Sequence, residues 1–129
     1  MGKIGCKCGN TVVDQADNLN YKGRIIPDSS YEDIFDSLYD LIDSYVEAVQ
    51  AGKKQDWMEV NGLRPPYPQD SRASSLINYI FFDHYQEKTK EIFQCEECGR
   101  ILIQNGKSKT YLSFKPETDD WKDILKKFH

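Results

Sequence analysis

The chain has 129 residues, 39 % hydrophobic and 12 % aromatic, enough for one folded domain with a modest core. Its 21 acidic residues outweigh 17 basic ones for a net charge of −4, which argues against the basic footprint of nucleic-acid binders and for a basic protein partner. No apolar run is long enough to cross a membrane, and Met-Gly-Lys opens no signal-peptide core, so a cytoplasmic location with no membrane partner is expected.

Residues 3 to 27 read as a β hairpin that carries a first cysteine knuckle, Cys6-Lys7-Cys8-Gly9. Thr11-Val12-Val13 is strand-like, residues 14 to 20 are polar turn material, and Tyr21-Lys22-Gly23-Arg24-Ile25-Ile26 returns as the partner strand. A first helix follows Pro27. Ser29-x-x-Glu32 has the form of a capping box, and Asp28 and Asp33 suit the positive end of the helix dipole. Apolar residues then recur at Tyr31, Ile34, Phe35, Leu38, Leu41, Ile42, Tyr45, Val46 and Val49, the helical template, before Gly52 stops the run.

Trp57, Met58, Val60 and Leu63 predict a short helix or a buried loop, and Arg64-Pro65-Pro66-Tyr67-Pro68 a packed, non-helical connector. A second helix is expected from Asp70 or Ser71 to about Phe93, with Leu76, Ile77, Ile80 and Phe81 on a broad apolar face. The second knuckle, Cys95-Glu96-Glu97-Cys98-Gly99, opens another hairpin. Its strands are residues 100 to 104 and 110 to 114, joined through an Asn105-Gly106 turn signal or, since Lys107-Ser108-Lys109 is polar too, a longer loop. Beyond Pro116, Thr118 can cap a final helix with Trp121, Ile124, Leu125 and Phe128 on its apolar face.

The four cysteines are the only ones in the chain. Two Cys-rich knuckles, each followed by glycine, have the spacing of two halves of one tetrathiolate zinc site. Glycine after the second cysteine allows the positive φ that turns backbone N–H groups toward sulfur. Disulfides would permit three connectivities, but a reducing cytosol favours metal ligation. Glu96 and Glu97, lying between Cys95 and Cys98, are expected to raise the thiol pKa values and so disfavour a reactive cysteine. Cys6, Cys8, Cys95 and Cys98 are therefore the expected ligands of a structural Zn2+. Four thiolates fill the zinc shell and leave no position for water, so catalysis is not expected there.

The expected fold class is α+β, a zinc ribbon of two β hairpins with an inserted helical hairpin and a C-terminal helix. It forms one domain: residues 1 to 28 the first knuckle hairpin, 29 to 93 the helical insertion, and 94 to 129 the second knuckle hairpin and final helix. Neither histidine has a catalytic setting. His84 sits near the apolar face of the second helix as a hydrogen-bonded packing residue, and His129 is expected to be unordered. No serine elbow, P-loop or dinucleotide fingerprint is present, so an enzyme is not expected.

Charge patterning carries more. From Tyr31 to Gln50 the first helix holds Glu32, Asp33, Asp36, Asp40, Asp43 and Glu47 and no Lys or Arg. Asp36, Asp40, Asp43 and Glu47 repeat at helical spacing and form one stripe, where an ordinary solvated helix would alternate sign. Such a stripe is either solvated surface or an anionic docking face for a cationic partner. Asp14 and Asp17 are candidates to extend it.

The opening Cys-x-Cys-Gly, then Asp14-x-x-Asp17, Tyr21-Lys22-Gly23, an Ile-Pro-Asp step into a helix and the late Cys-x-x-Cys-Gly resemble a group of small bacterial zinc-ribbon proteins. These are similar to immunity proteins of contact-dependent and polymorphic toxin systems. The resemblance implies an inhibitor that neutralises a basic toxin, a nuclease among the candidates. The competing reading is a zinc-ribbon nucleic-acid or transcription-associated adaptor using Arg100, Lys107, Lys109 and Lys115.

Overall fold

A computed structural model describes residues 2–107 and 109–127. Their secondary structure is mixed α+β, with three helices and two antiparallel sheets among the described residues. The chain divides into two compact units. One holds the residues up to Ile25 together with those from Thr89 onward, and the other is Ile26–Lys88.

In the first unit, β1 (Gly2–Gly5) and β2 (Thr11–Asp14) pair antiparallel, with Ile4 opposite Val12, and the first knuckle is the turn between them. A second sheet runs in the order β3 (Lys22–Ile25), β4 (Lys90–Gln94), β5 (Ile101–Gln104), β6 (Tyr111–Phe114). The second knuckle is the turn between β4 and β5. Phe93 stands opposite Leu102 in that ladder, and both are buried with Val12, Cys6 and Cys95 in one cluster. Two of the four thiols, Cys6 and Cys95, are thus part of the hydrophobic core of this unit, which joins the packing problem to the metal-binding one.

The helical unit comprises α1 (Asp28–Gln50), α2 (Lys54–Val60) and α3 (Ala73–Lys88). Trp57, Met58, Leu63 and Leu76 form its buried centre, with Leu41 and Tyr45 of α1 and Ile77 and Ile80 of α3 against them. Trp57 meets the Tyr45 ring edge-on at 5.0 Å, and its indole N–H donates to Ser44 Oγ at 2.9 Å. α1 stops in a Schellman turn: Gly52, at φ +70°, donates to the Val49 carbonyl, and Lys53 donates to that of Ala48.

Several expectations are corrected. The strand at 22–25 does not return onto residues 11 to 13; β2 pairs with β1, and β3 pairs with β4, Lys22 opposite Phe93. Gly23 permits this, because its position lies close to Ile92, 3.3 Å from where a Cβ would sit. Residues 90 to 93 are strand rather than the end of the second helix. Phe93 is fully buried there, and Thr89 accepts from the Arg24 guanidinium at 2.9 Å just before the strand begins.

The Ser29 capping box is not used. Helix α1 starts at Asp28 with Pro27 as N-cap and no side-chain cap, and the Ser30 N–H donates to the Pro27 carbonyl at 2.9 Å. The C-terminal helix does not form among the described residues. Asp123 adopts φ +57°, Lys126 N–H closes a turn onto its carbonyl, and the Trp121 carbonyl accepts from Gln94 Nε2 at 2.8 Å. Phe128 and His129 lie outside the described residues.

Candidate metal centre and acidic helix

Each knuckle is a tight backbone turn. In the first, Cys6 N–H donates to the Asn10 carbonyl at 2.9 Å and Gly9 N–H to the Cys6 carbonyl at 3.0 Å; in the second, Cys95 donates to Arg100 and Gly99 to Cys95, each at 2.8 Å. Gly9 and Gly99 have φ of +95° and +81°, the left-handed geometry expected of them. Pairing of β1 with β2 and of β4 with β5 presents both turns to one place, so residues 87 positions apart in the chain, Cys8 and Cys95, bring their sulfurs to 3.6 Å.

The four sulfurs lie within 4.8 Å of one another, with Cys6 and Cys98 at 3.5 Å. A Zn–S bond of about 2.3 Å makes the edge of a tetrahedral thiolate cage about 3.8 Å, inside this spread. A disulfide needs about 2.05 Å, and all four cysteines are free. The donor set therefore fits one four-coordinate ion. Its cysteines differ in setting: Cys95 and Cys6 are buried, Cys98 is half-buried and Cys8 is exposed.

The electrostatics of the cluster support the same reading. Burial alone would raise Cys98, but the Arg100 N–H and guanidinium bring it down to about 6. Cys95, also opposed by burial, is lowered by the Asn10 amide and by the Cys98 and Glu97 N–H groups. Cys8 goes the other way. The Asn10 N–H pulls it down, yet desolvation and the neighbouring thiols push it up to about 12. Burial raises Cys6 as well. Thiols this close cannot all shed protons on their own, because each new thiolate repels the next; a divalent cation removes that conflict.

Two residues that sequence reasoning did not assign to the site complete it. Asn10 Nδ2 donates to Cys95 Sγ at 3.5 Å, and Arg100 Nη1 to Cys98 Sγ at 3.3 Å. Each directly follows a knuckle glycine, the one signal that could have found them. The sequence offers Arg100 as a base for nucleic acid; in the structure its guanidinium faces a thiol.

On α1, Asp36, Asp40, Asp43 and Glu47 are all exposed, and none makes an ion pair among the described residues. Asp33 behaves differently, with its carboxylate 3.2 Å from Lys88 Nζ and 3.9 Å from His84 Nε2. The His84 nitrogen is buried without a hydrogen-bond partner, so the expected packing hydrogen bond is not made. Asp14 does not offer free charge, because Lys22 lies 2.9 Å from it and bridges on to Glu91 at 3.4 Å.

Fold and site together define an α+β protein in which two knuckle-bearing hairpins gather four thiols within reach of one metal ion. The chain belongs to the family described as Domain of unknown function (DUF8617), whose model matches residues 2–118. No curated protein and no solved structure matches it. No helix among the described residues is long and apolar enough to cross a membrane.

Proposed function

We propose that this protein is a zinc-stabilised, cytoplasmic protein-binding module, an immunity or inhibitor protein that neutralises a basic toxin effector of the nuclease kind. The ion is Zn2+, held by Cys6, Cys8, Cys95 and Cys98 as a structural clasp, on the all-thiolate donor set. The partner surface is the outer face of α1. One observation carries this reading: Asp36, Asp40, Asp43 and Glu47 stand exposed in a row and make no ion pair among the described residues, whereas Asp33 on the same helix is paired. Like charges at i,i+4 cost a few tenths of a kcal/mol each, and electrostatic steering of a cationic partner is a return for that cost.

The test is purification of the tagged chain from its native host, followed by metal analysis and identification of the bound protein. One zinc per chain and a tight 1:1 complex with a basic protein are expected. Replacing all four acids (Asp36→Asn, Asp40→Asn, Asp43→Asn, Glu47→Gln) should dissolve that complex at physiological salt. An undiminished complex with the neutralised helix would sink the docking face, and a chain that folds and binds without metal would sink the clasp.

A second reading has its own observation. The unit carrying the knuckles holds twelve bases against nine acids, a net +3, whereas Ile26–Lys88 holds five bases against twelve acids, a net −7. Lys107, Lys109 and Lys115 are exposed around the β5–β6 hairpin. A nucleic-acid adaptor would bind DNA or RNA with a steep salt dependence that falls when these three lysines become glutamine.

A further inference from the structure

Part of the apolar face of α1 stays open to solvent. Ile34 is buried, but Ile42 and Val46 keep 42 % and 45 % of their surface open. They lie with Leu38 and Tyr45 along one wall of an open groove of about 520 Å³, whose other wall is Ile77 and Phe81 of α3. A helix pair that ended its core here would carry polar side chains at these positions.

The rims of the groove are unlike each other. Asp43 follows Ile42 and Glu47 follows Val46, each about 100° further round the helix, so these two acids of the stripe lie on the α1 side of the groove. The α3 rim supplies Ser74 and Asn78, both uncharged, and no Lys or Arg lines the groove. Length also matters. Leu38 to Val46 spans about 12 Å of helix, against about 10.5 Å for side chains at i and i+7 of a second helix. A small polar ligand would need several convergent polar groups on the walls, and only Ser74, Asn78 and the Tyr45 hydroxyl are there.

We propose that the groove between α1 and α3 seats an amphipathic helix of a basic partner, with apolar side chains at i, i+3 or i+4, and i+7 in the groove and a Lys or Arg flank over Asp43 and Glu47. This rests on the acidic-face reading above and adds a division of labour. The buried apolar anchors set the residence time, while the carboxylates set orientation and on-rate. Long basic side chains lie along apolar surface with the charged head in water, so the partner's lysines can cross Val46 to reach the acids.

Calorimetry of the full chain with three synthetic 18-residue peptides tests this: an amphipathic Leu/Lys helix, a scramble of the same composition, and a Leu/Glu counterpart. Saturable 1:1 binding of the amphipathic Leu/Lys peptide is expected, at least about tenfold tighter than the scramble or the Leu/Glu peptide. Ser74→Trp, at an exposed position on the rim, should fill the groove and weaken binding at least about tenfold with the far-ultraviolet dichroism unchanged. Val46→Gln should weaken it as well, and Asp43→Asn with Glu47→Gln should chiefly flatten the salt dependence. Equal binding of the scramble, or binding indifferent to both Ser74→Trp and Val46→Gln, overturns the groove while leaving the acidic face standing. Leu/Glu peptide bound as tightly as Leu/Lys overturns the charge assignment. If neither basic peptide binds, the groove proposal falls, and the acidic face is decided separately by the native complex and its neutralised-helix variant.

Discussion

Gly9 and Gly99 hold the same place in their knuckles, at φ +95° and +81°, but their surroundings separate them. A Cβ on Gly9 would meet nothing within 4 Å, whereas one on Gly99 would collide with the Trp121 ring. Gly9→Ala should therefore cost only the backbone strain, about 1–2 kcal/mol. Gly99→Ala should cost clearly more, because Trp121 is tied by its carbonyl to the buried Gln94 and cannot simply withdraw. Denaturation midpoints of the two variants check the order, and equal losses would contradict it. The positive φ was legible in the Cys-Gly pairs; Trp121 as the neighbour was not, since nothing local links residues 22 positions apart. Tyr111 offers a pH test at the same scale. Burial and a 3.0 Å hydrogen bond from its hydroxyl to Glu91 Oε1 push its pKa up to about 12 from an ordinary value near 10. The folded state holds the proton more tightly, so this contribution is complete below about pH 10 and is lost as the pH rises through about 12. Stability of the wild type should fall across that window, and Tyr111→Phe should flatten the decline, measured by urea midpoints at pH 9 and pH 11.

Elements were readable where their signal is local. α1 repeats its apolar residues over its own length and ends at Gly52, so nothing outside Asp28–Gln50 was needed to recognise it. The β5–β6 hairpin was equally plain, its two strands lying close in the chain with Asn105-Gly106 between them, although Gln104 opposite Tyr111 makes the connection longer than a two-residue turn. β3 and β4 owe their strand state to each other across more than sixty residues, and Ile92 and Phe93 also fit the helical spacing that precedes them. Trp121, Ile124 and Leu125 have helical spacing too, yet the Gln94 amide and the Asp123 turn take the backbone elsewhere. Tertiary pairing overrode local preference in both cases. The α1 stripe yields a prediction at this scale. Asp40→Lys would place a cation four residues after Asp36 and three before Asp43, replacing repulsion with the favoured acid-before-base pairing. The chain should gain about 0.5 kcal/mol, read as a higher melting temperature at low salt, and lose affinity for a cationic partner. A variant that lost stability would show that the carboxylate is already satisfied.

The two units have separate cores as well as opposite charge. Cys6, Val12, Phe93, Cys95 and Leu102 form one buried cluster, and Trp57, Met58, Leu63 and Leu76 the other, with no cysteine in the second. If the proposed ion is bound, its loss should therefore act first on the knuckle-bearing unit, where two of the four thiols are themselves core residues and an ion would close a loop of most of the chain. The chain's two tryptophans divide between the units: Trp121 lies against Gly99, and Trp57 lies in the helical core. Trp57→Phe and Trp121→Phe thus each leave a reporter for one unit. On chelation, Trp121 emission in the Trp57→Phe chain should shift to the red as its contact with the second knuckle dissolves. Trp57 emission in the Trp121→Phe chain should hold, along with most of the helical dichroism at 222 nm, because the Ser44 hydrogen bond and Tyr45 contact that fix Trp57 are internal to the helices. A simultaneous shift of both would mean that the helical unit depends on the metal for its own stability. The docking face and its groove would then be present only in the metal-loaded protein, and partner affinity would track metal occupancy rather than the charge of α1 alone.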